Sequence, residues 1–347
     1  MREMAYLEVK ELAKQYPVKT GLLKQLTGQV PVVDAVSGVS FELDKGEVVG
    51  LVGESGCGKS TLGRLLVRLE NATSGSIRIG DQEVGATIRG KELKEFRRKV
   101  QMIFQDPYDS LNPQRTILET VAQPLRYLGL GNSEQERRDT AMAALERVEL
   151  RPAERYANRL PHLLSGGQRQ RVAIARALVV NPKFVVADEP VSMLDVSVRA
   201  SILNLLRDLN QETGIPVLLI THDLATAGFL CDRIMVMYLG KIVEEGPATE
   251  IIESPLHPYS QLLLSSVPSL LGEDKIRIEA TGEAPSAINP PSGCRFHPRC
   301  PLATQRCREE EPPLIQVGTG RTAACHLLEP GIDASPTAPK ANVQLNG

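Results

Sequence analysis

The residues with the most recognisable chemistry form the segment Gly53–Ser60. It reads Gly-Glu-Ser-Gly-Cys-Gly-Lys-Ser and fits the pattern G-x-x-x-x-G-K-[ST], with an apolar run before it and a helix pattern after it. Glycines let backbone N–H groups turn toward phosphate oxygens, and a helix start adds a positive dipole. In such a loop Lys59 reaches the β- and γ-phosphates and Ser60 is a ligand of Mg²⁺. An incidental glycine-rich turn is the alternative, but the strand, the Lys-Ser pair and the helix all argue against it.

A pair of acidic residues closes the apolar run Phe184–Ala187. Asp188 is placed to hold Mg²⁺, directly or through water, and Glu189 beside it could polarise an attacking water molecule as general base. Taken alone, the pair could equally be a solvated acidic strand end. Beside a phosphate-binding loop, we expect it to take part in phosphate hydrolysis.

A second glycine pair lies at the start of another helix pattern. Residues Ser165, Gly166, Gly167 and Gln168 follow Leu164 and open a helix with an apolar face. Such a helix start is a second anion site. Its alternative is a flexible turn with Ser165 as a plain N-cap. One nucleotide does not need two phosphate-binding helix starts from one chain. The pattern therefore indicates that ATP is shared between two copies or two related chains.

These segments must be held by strands of a parallel sheet. Short apolar runs at Val48–Val52, Phe184–Ala187 and Val217–Ile220 are typical of strands buried on both faces. Between the last two runs lies an amphipathic helix pattern that stops at Gly214, which predicts a βαβ unit. Shorter strands are expected at Tyr6–Val9 and Val39–Leu43. A helix after the phosphate loop is expected to bury Leu62, Leu65, Leu66 and Leu69.

The remaining segments divide the chain into regions. Residues 107–176 hold few strand-like runs and predict a mostly helical subdomain inserted between strands of the sheet. We expect a nucleotide-binding domain over 1–255, a C-terminal extension over 256–330 with a cysteine cluster at 294–325, and a disordered tail over 331–347. A loop is expected at Gly21–Pro31, where Gly and Pro recur.

Composition bounds the class of protein. The 347 residues carry a net charge of −2, with 42% hydrophobic and 24% charged residues. These are globular values that exclude a fibrous or wholly disordered chain and give no reason to expect nucleic acid as a partner. No apolar run approaches the ~18 residues of a transmembrane helix, and the N-terminus has no signal-peptide pattern. We expect a cytoplasmic chain, for which other chains must supply any membrane-spanning helices.

Together the motifs resemble those of an ABC transporter ATPase subunit. The Walker A loop at Gly53–Thr61, Gln105 after Met102-Ile103-Phe104, the signature at Leu164–Gln168, the Walker B strand through Asp188-Glu189, Asp195 and His222 occur in the family's order over most of residues 5–255. The resemblance implies a RecA-like core sheet plus a helical subdomain, with ATP and Mg²⁺ as cofactors. It assigns nucleotide binding to Gly53, Glu54, Ser55, Gly56, Cys57, Gly58, Lys59, Ser60 and Thr61, and to the signature residues.

The resemblance also implies roles for single residues. Gln105 would sense the γ-phosphate at Mg²⁺ or water, His222 would contact the γ-phosphate, Asp195 would sit at a dimer seam, and Tyr16 would stack on adenine. Each has a plainer alternative. Gln105 and Asp195 could be surface polar groups, His222 a helix cap, and Tyr16 a half-buried aromatic at a strand end.

Further segments resemble the ATPases of oligopeptide and dipeptide importers, most closely the F-type subunit that pairs with a D-type relative. They are Gly21–Lys24, Phe104–Tyr108, Leu111–Pro113, Leu256–Tyr259 and Gly293–Pro301. The resemblance implies a head-to-tail ATPase dimer on the cytoplasmic face of the membrane, two permease subunits and, indirectly, an extracytoplasmic solute-binding protein. Leu164 and Met193 depart slightly from the family's pattern but remove no polar catalytic group. Tyr108 and Leu111 are candidates for contact with a permease helix.

Four of the six cysteines crowd into the C-terminal extension. We expect Cys294, Cys300, Cys307 and Cys325 to supply the thiolates of one [4Fe–4S] cluster, because four is the right number and segments 295–299, 301–306 and 308–324 separate them without the tight pairs usual for zinc. A Cys₃His zinc site with His297 or His326 is the runner-up, and disulfides rank third in a reducing compartment. The resemblance agrees, because this tail pattern is associated with iron–sulfur binding in peptide-importer ATPases. Since the cysteines lie far along the chain from the ATP motifs, we expect a structural role.

The function predicted from these patterns is ATP hydrolysis that powers peptide import. A soluble ABC ATPase acting on DNA or ribosomes is the alternative from another class. It is disfavoured because the helical region has no zinc module or long coiled-coil insertion, and because there is one nucleotide-binding domain rather than a tandem pair. A transporter of the same subfamily for nickel, glutathione or oligosaccharides stays open, since the ATPase does not touch the cargo.

Overall fold

The computed structural model describes residues 5–18, 32–85, 88–265, 282 and 285–328 of the chain. In this part the strands are β1 (Leu7–Pro17), β2 (Val32–Leu43), β3 (Val48–Val52), β4 (Ser74–Ile79), β5 (Gln82–Val84), β6 (Val100–Ile103), β7 (Phe184–Asp188), β8 (Val217–Thr221), β9 (Arg233–Tyr238), β10 (Lys241–Pro247), β11 (Ile315–Gly318) and β12 (Arg321–Ala323). The helices are α1 (Lys59–Leu66), α2 (Gly90–Lys99), α3 (Pro107–Ser110), α4 (Ile117–Leu128), α5 (Glu134–Arg147), α6 (Glu154–Ala157), α7 (Gly166–Leu178), α8 (Val196–Thr213), α9 (Leu224–Leu230), α10 (Ala248–Glu253), α11 (Pro258–Ser265) and α12 (Gln305–Glu309).

The larger sheet carries the chemistry. Its strand order is β11-β12-β10-β9-β3-β8-β7-β6, and β6, β7, β8, β3 and β9 run parallel. Every residue of β3, β7 and β8 is buried, which explains their uninterrupted apolar sequences. The phosphate loop follows β3 and the acidic pair closes β7, so both lie at the carboxyl edge of the sheet, where open α/β sheets bind ligands.

A smaller antiparallel sheet lies on the other side of α1. Its strand order is β2-β1-β4-β5. The apolar residues of β1 and β4 join the buried face of β3 and α1 in one core, which includes Leu7, Ile77, Leu51 and Leu62. The predicted strands at Tyr6–Val9 and Val39–Leu43 are therefore present, but both belong to longer strands than the alternating pattern indicated.

The described chain between β6 and β7 is helical, as predicted. Helices α3 to α7 and a short 3₁₀ turn at Pro161–Leu163 fill this interval. Two capping boxes, Thr116 with Glu119 and Ser165 with Gln168, begin α4 and α7 by satisfying backbone N–H groups at the helix starts. The last helix continues two residues beyond the expected limit at 176.

The C-terminal segment joins the larger sheet rather than standing apart from it. β12 pairs with the cassette strand β10 through Glu244–Ala323 and Glu245–Thr322, and β11 pairs with β12. The fully buried Glu244 carboxylate accepts the N–H groups of Leu256 and His257 and a hydrogen bond from Arg321. These contacts satisfy a charge that would otherwise be costly to bury. The division at residue 255 stays a prediction, and this pairing crosses it.

Other details differ from expectation or lie outside the described residues. Leu62, Leu65 and Leu66 are buried, but Leu69 is 47% exposed because α1 ends at Leu66. Within the described ranges no helix is both long and apolar enough to span a membrane. The expected loop at Gly21–Pro31 and the expected tail at 331–347 lie outside the described residues.

Candidate active site

The phosphate loop turns between β3 and α1 in a space that admits only glycine at two points. A Cβ on Gly53 would lie 2.3 Å from the carbonyl oxygen of Met237, and a Cβ on Gly58 would lie 2.1 Å from that of Ala35. Gly58 also has a φ of 109°, which L side chains rarely adopt. The close approach to neighbouring strands therefore restricts the path of the loop at these two positions.

Lys59 lies folded along this loop. Its side chain is buried, and Nζ donates to the carbonyl oxygens of Gly53 at 2.7 Å and Glu54 at 2.9 Å. The ammonium group is thus held at the loop by acceptors that phosphate oxygens could replace. Cys57 is buried, and burial raises the pKa of its thiol, so it contributes to the loop through its backbone.

Ser60 and Asp188 lie side by side at the ends of the loop and of β7. The Ser60 hydroxyl donates to the Asp188 carboxylate at 3.1 Å. Burial raises the pKa of Asp188 above its ordinary value, since the charged carboxylate loses solvent there. Two hard oxygen donors at one point, with room for water and phosphate, fit a Mg²⁺ ion.

Glu189 is held between two polar side chains. The Gln105 amide Nε2 donates to one carboxylate oxygen at 2.9 Å, and His222 Nδ1 lies 3.1 Å from the other. The Glu189 N–H donates to the Ile220 carbonyl of the neighbouring strand β8. Both carboxylate oxygens are therefore oriented, as expected for a base that must face a water molecule. The structure brings together the three residues that sequence analysis named as catalytic.

A cavity of about 700 Å³ opens between the core and the helical subdomain. Ser60, Gln105 and Asp188 line it, together with the cationic side chains of Arg64, Arg97 and Arg176. The cavity thus reaches the Ser60–Asp188 pair at the end of the phosphate loop.

Tyr16 lies on β1, near the end of the phosphate loop. It is half-buried, its hydroxyl donates to Glu70, and the Thr61 side chain is within hydrogen-bonding reach. Burial and the Glu70 carboxylate raise the pKa of Tyr16 to about 12. The ring therefore lies near the loop, while its stacking on adenine stays a prediction.

The second helix start is satisfied by its own side chains. The hydroxyl of Ser165 accepts the Gln168 N–H at 3.3 Å, and the Gln168 side chain accepts the Ser165 N–H at 3.0 Å. Gly167 is required by packing, since a Cβ there would lie 2.4 Å from Val198 Cγ1 on α8. This helix start is therefore capped by its own residues and packed against α8.

Part of the segment after the acidic pair is open to solvent, although Val191 and Leu194 are buried. Asp195 begins α8, makes no capping hydrogen bond with its side chain and is exposed. Its apolar neighbours Met193 and Val196 are 57% and 80% exposed. An exposed acid between exposed apolar residues is typical of a surface that another chain covers.

The cysteine segment lies against the phosphate loop, although the two are far apart along the chain. Arg299 donates to both oxygens of Glu54, at 2.7 and 3.0 Å, across 245 positions of sequence. The four cysteines of the segment line one small cavity with His257, His297 and His326. All six cysteines are free thiols.

No group of three or more metal-ligating side chains has metal-binding geometry in the described ranges. The cavity between the thiols measures about 10 Å³, about the size of one water molecule. The donor types fit a metal centre, but an iron–sulfur cluster requires the thiols to move apart. The prediction of a [4Fe–4S] cluster is therefore not supported by this arrangement.

Comparison with known proteins decides the family. An ABC transporter family model matches residues 36–192, and a model of the oligopeptide/dipeptide transporter C-terminal region matches residues 243–307. A probable peptide ABC transporter ATP-binding protein of Sinorhizobium fredii is 47% identical over 96% of this chain and 94% of its own length. The oligopeptide transport ATP-binding protein AppF of Bacillus subtilis is 44% identical, over 92% of this chain and 97% of its own length. The chain belongs to the ABC transporter ATP-binding proteins of the oligopeptide/dipeptide family.

Solved structures agree with this family. A dimeric ATP-binding cassette in a post-hydrolysis state, bound to ADP and Pi, has a TM-score of 0.60 and 36% identity over 70% of this chain and 98% of its own. The cbiO1 protein of Clostridium perfringens has a TM-score of 0.61 and 28% identity over 73% of this chain and 92% of its own. The predicted ABC cassette fold is confirmed, and the chain is an ATPase subunit that uses ATP and Mg²⁺.

Two predicted candidates for contact with a permease differ in this ABC ATPase. Tyr108 is 56% exposed, and the Arg169 guanidinium lies 4.0 Å from the centre of its ring. Leu111 is only 2% exposed and belongs to the core of the helical subdomain. Tyr108 is therefore exposed to a possible partner protein, whereas Leu111 is a core residue and not available for such a contact.

Sequence reasoning missed the residues that surround Glu54 in this ATPase. Besides Arg299, the Tyr259 hydroxyl accepts the Glu54 N–H at 2.8 Å. Both residues lie in segments that the sequence marked as family features, but nothing in their spacing points to a partner more than 200 positions away.

Proposed function

We propose that this chain is the ATPase subunit of an importer for oligopeptides or dipeptides, working as a peripheral protein on the cytoplasmic face of the membrane. The observation that carries the ATPase part is the Glu189 carboxylate, held by Gln105 and His222 beside the Ser60–Asp188 pair. The peptide cargo is supported by the names of the relatives, which include a di/tripeptide transport ATP-binding protein of Pseudomonas aeruginosa, 46% identical over 93% of this chain.

We propose the following roles for the residues of this site. Lys59 and the loop from Gly53 to Thr61 hold the phosphates, and Ser60 and Asp188, with Gln105, hold Mg²⁺ and its water. Glu189 takes the proton of the attacking water, and His222 contacts the γ-phosphate and stabilises the closed state. Tyr16 stacks on adenine.

The ATP site is completed by a second ATPase subunit in a head-to-tail dimer. Ser165, Gly166, Gly167 and Gln168 serve the partner's nucleotide, and Asp195 lies at the seam. Support comes from the exposed residues Met193, Asp195 and Val196 and from the likeness to a solved dimeric ATP-binding cassette. We further propose that the chain is the F-type subunit and its partner a D-type relative, since relatives at 44% and 46% identity bear the names AppF and DppF.

Two permease subunits dock beside the helical subdomain, and a solute-binding protein delivers cargo to them from outside. Exposed Tyr108 after Gln105 supports this docking site. Cysteine cross-linking from residues 106–115 to the permeases in the intact complex should succeed and should change with nucleotide. Absence of cross-links in every nucleotide state would contradict the docking site.

The cargo is tested through the solute-binding protein encoded with the transporter. Calorimetry should detect binding of peptides and none of nickel, glutathione or oligosaccharides. Cells lacking this chain should lose uptake of the same peptide. Binding of nickel or a sugar instead would keep the ATPase function but replace the cargo.

We also propose a metal centre at Cys294, Cys300, Cys307 and Cys325, with [4Fe–4S] as its first candidate. The shared cavity of the four thiols supports a common ligand, and its small volume makes a single zinc ion the competing occupant. Anaerobic purification with iron, sulfide and zinc analysis separates the two. Stoichiometric zinc without sulfide, or a Cys300→Ser variant with unchanged metal content, would overturn the cluster.

A further inference from the structure

Glu54, the second residue of the phosphate loop, is held by two segments from outside the cassette core. Its carboxylate accepts two hydrogen bonds from Arg299 of the cysteine segment, and its backbone N–H donates to the Tyr259 hydroxyl of α11. Its carbonyl oxygen accepts the Lys59 ammonium at 2.9 Å. One residue thus connects the C-terminal segment to the lysine that faces the phosphates.

The two segments that hold Glu54 also hold each other. Tyr259, Tyr238 and Phe296 form an aromatic cluster with ring centroids 4.5 to 5.4 Å apart. All three side chains are fully buried. The Arg299 side chain is 10% exposed and its Glu54 partner 32% exposed, so the ion pair lies at the edge of this cluster with the guanidinium inside. A planar guanidinium fixed by packing restricts a carboxylate more than a mobile surface pair does.

From these contacts we infer that Arg299, supported by Tyr259, is a positioning residue for the phosphate loop. The C-terminal segment thereby sets the affinity of the chain for ATP. The inference rests on ATP binding at the loop and is independent of the cargo and of any metal at the cysteines. No contact of Arg299 with nucleotide is needed, because it acts through Glu54 and the backbone that carries Gly53 and Lys59.

The loop binds the phosphates of ATP in the ground state and in the transition state. A change in loop geometry should therefore raise KM for ATP and change kcat little. In the full chain, Arg299→Met should weaken binding of a fluorescent ATP analogue by about 3- to 10-fold, the range for a partly exposed bidentate pair. In the assembled transporter, KM for ATP should rise by the same factor, while kcat changes less than about twofold. Arg299→Lys, which keeps the charge but not the fork, should recover part of the affinity.

A double-mutant cycle separates this role from general destabilisation. Glu54→Gln and Arg299→Met should each weaken ATP binding, and the double variant should be no weaker than either alone, because they break one interaction. Glu54→Gln also keeps the test available if Arg299→Met does not fold. Additive losses would overturn the inference, and so would unchanged affinity in both single variants.

Arg295→Met is the matched control. Arg295 lies in the same segment and pairs with Asp34 at 2.8 Å, with a side chain 11% exposed, but it makes no hydrogen bond to the phosphate loop in the described structure. The Arg295→Met variant should have a lower free energy of unfolding but unchanged affinity for ATP. An equal loss of affinity in Arg295→Met would mean that any loosening of the segment suffices, which contradicts a specific role for Arg299.

Lys59→Ala should bind no analogue. A wild-type chain that also bound none would refute ATP binding itself rather than the positioning role.

Discussion

The phosphate loop and the signature helix start are both glycine-rich anion sites, but their surroundings differ. The loop is held by Lys59 and the Arg299–Glu54 pair and is confined at Gly53 and Gly58 by carbonyl oxygens. The signature start is satisfied by its own capping box, and Asp195 before α8 is exposed to solvent. In the proposed dimer, the signature start of one subunit would face the nucleotide bound at the loop of the other. A single subunit should therefore bind ATP but hydrolyse it poorly.

The largest effect is expected at the residue where water is activated. Glu189→Gln should keep ATP affinity and lower turnover in the assembled transporter by about 10²- to 10⁴-fold, because a general base is lost. A trapped closed dimer, seen by size-exclusion chromatography with ATP, should accompany the loss. Lys59→Ala should instead fail at binding. Near-normal hydrolysis by assembled Glu189→Gln would remove this residue from the mechanism.

A glycine of the signature should show a steric effect. Gly167→Ala places a methyl group 2.4 Å from Val198 Cγ1, and overpacking of this kind costs about 1–3 kcal/mol in the free energy of unfolding. Chemical denaturation should show that loss, and adding Val198→Ala should recover it.

Turnover of the same double variant tests the comparison directly. If Gly167 also faces the partner's phosphates, hydrolysis should stay low after stability has returned. If the double variant recovered both its stability and its turnover, Gly167 would be required for packing only.

Substitution of the N-cap residue Ser165 distinguishes an effect on stability from an effect on turnover. Ser165→Ala should lower stability by about 1 kcal/mol through the lost N-cap, and turnover of the assembled transporter should fall further than this loss explains. ATP affinity of the single chain should be unchanged. Thr116→Ala is the matched control, since it removes the other capping box at the start of α4. Equal turnover in the two variants would contradict a nucleotide-facing role for Ser165.

The smallest change is expected at the seam. Asp195→Asn removes an exposed charge that makes no capping bond, so stability should change by less than about 0.5 kcal/mol. Association of the ATPase subunits, measured by analytical ultracentrifugation with ATP, should nevertheless weaken. Unchanged association would place the seam elsewhere.

The sequence pattern was sufficient to predict those parts of the structure that depend on residues close together in the chain. The strand, loop and helix from Val48 to Leu66, the acidic pair after β7 and the βαβ unit ending at Gly214 all have periodicity or spacing that fixes their structure. Gln105 and His222 were assigned only through the family resemblance, and the structure places both beside Glu189 because β6, β7 and β8 end at one edge of the sheet.

What could not be predicted depends on pairings between distant segments. Arg299 gives no sign in the sequence that it meets Glu54, because an arginine among cysteines suits many environments. The same holds for Glu244 and Arg321, a buried pair separated by 77 positions. Leu69 was misassigned because helical spacing continues for three residues after the helix itself has ended.

The pairing of β12 with β10 has a consequence for the order in which the protein is made. Without residues 315–323, β10 would be an unprotected edge strand, open to pairing with other chains. The Glu244 carboxylate would also lack its guanidinium until 77 further residues had left the ribosome. The β10 edge of the larger sheet therefore stays open until residues 315–323 have been translated. A nascent chain released at residue 255 should expose both a bare backbone edge and an uncompensated charge, which are features that chaperones and proteases recognise.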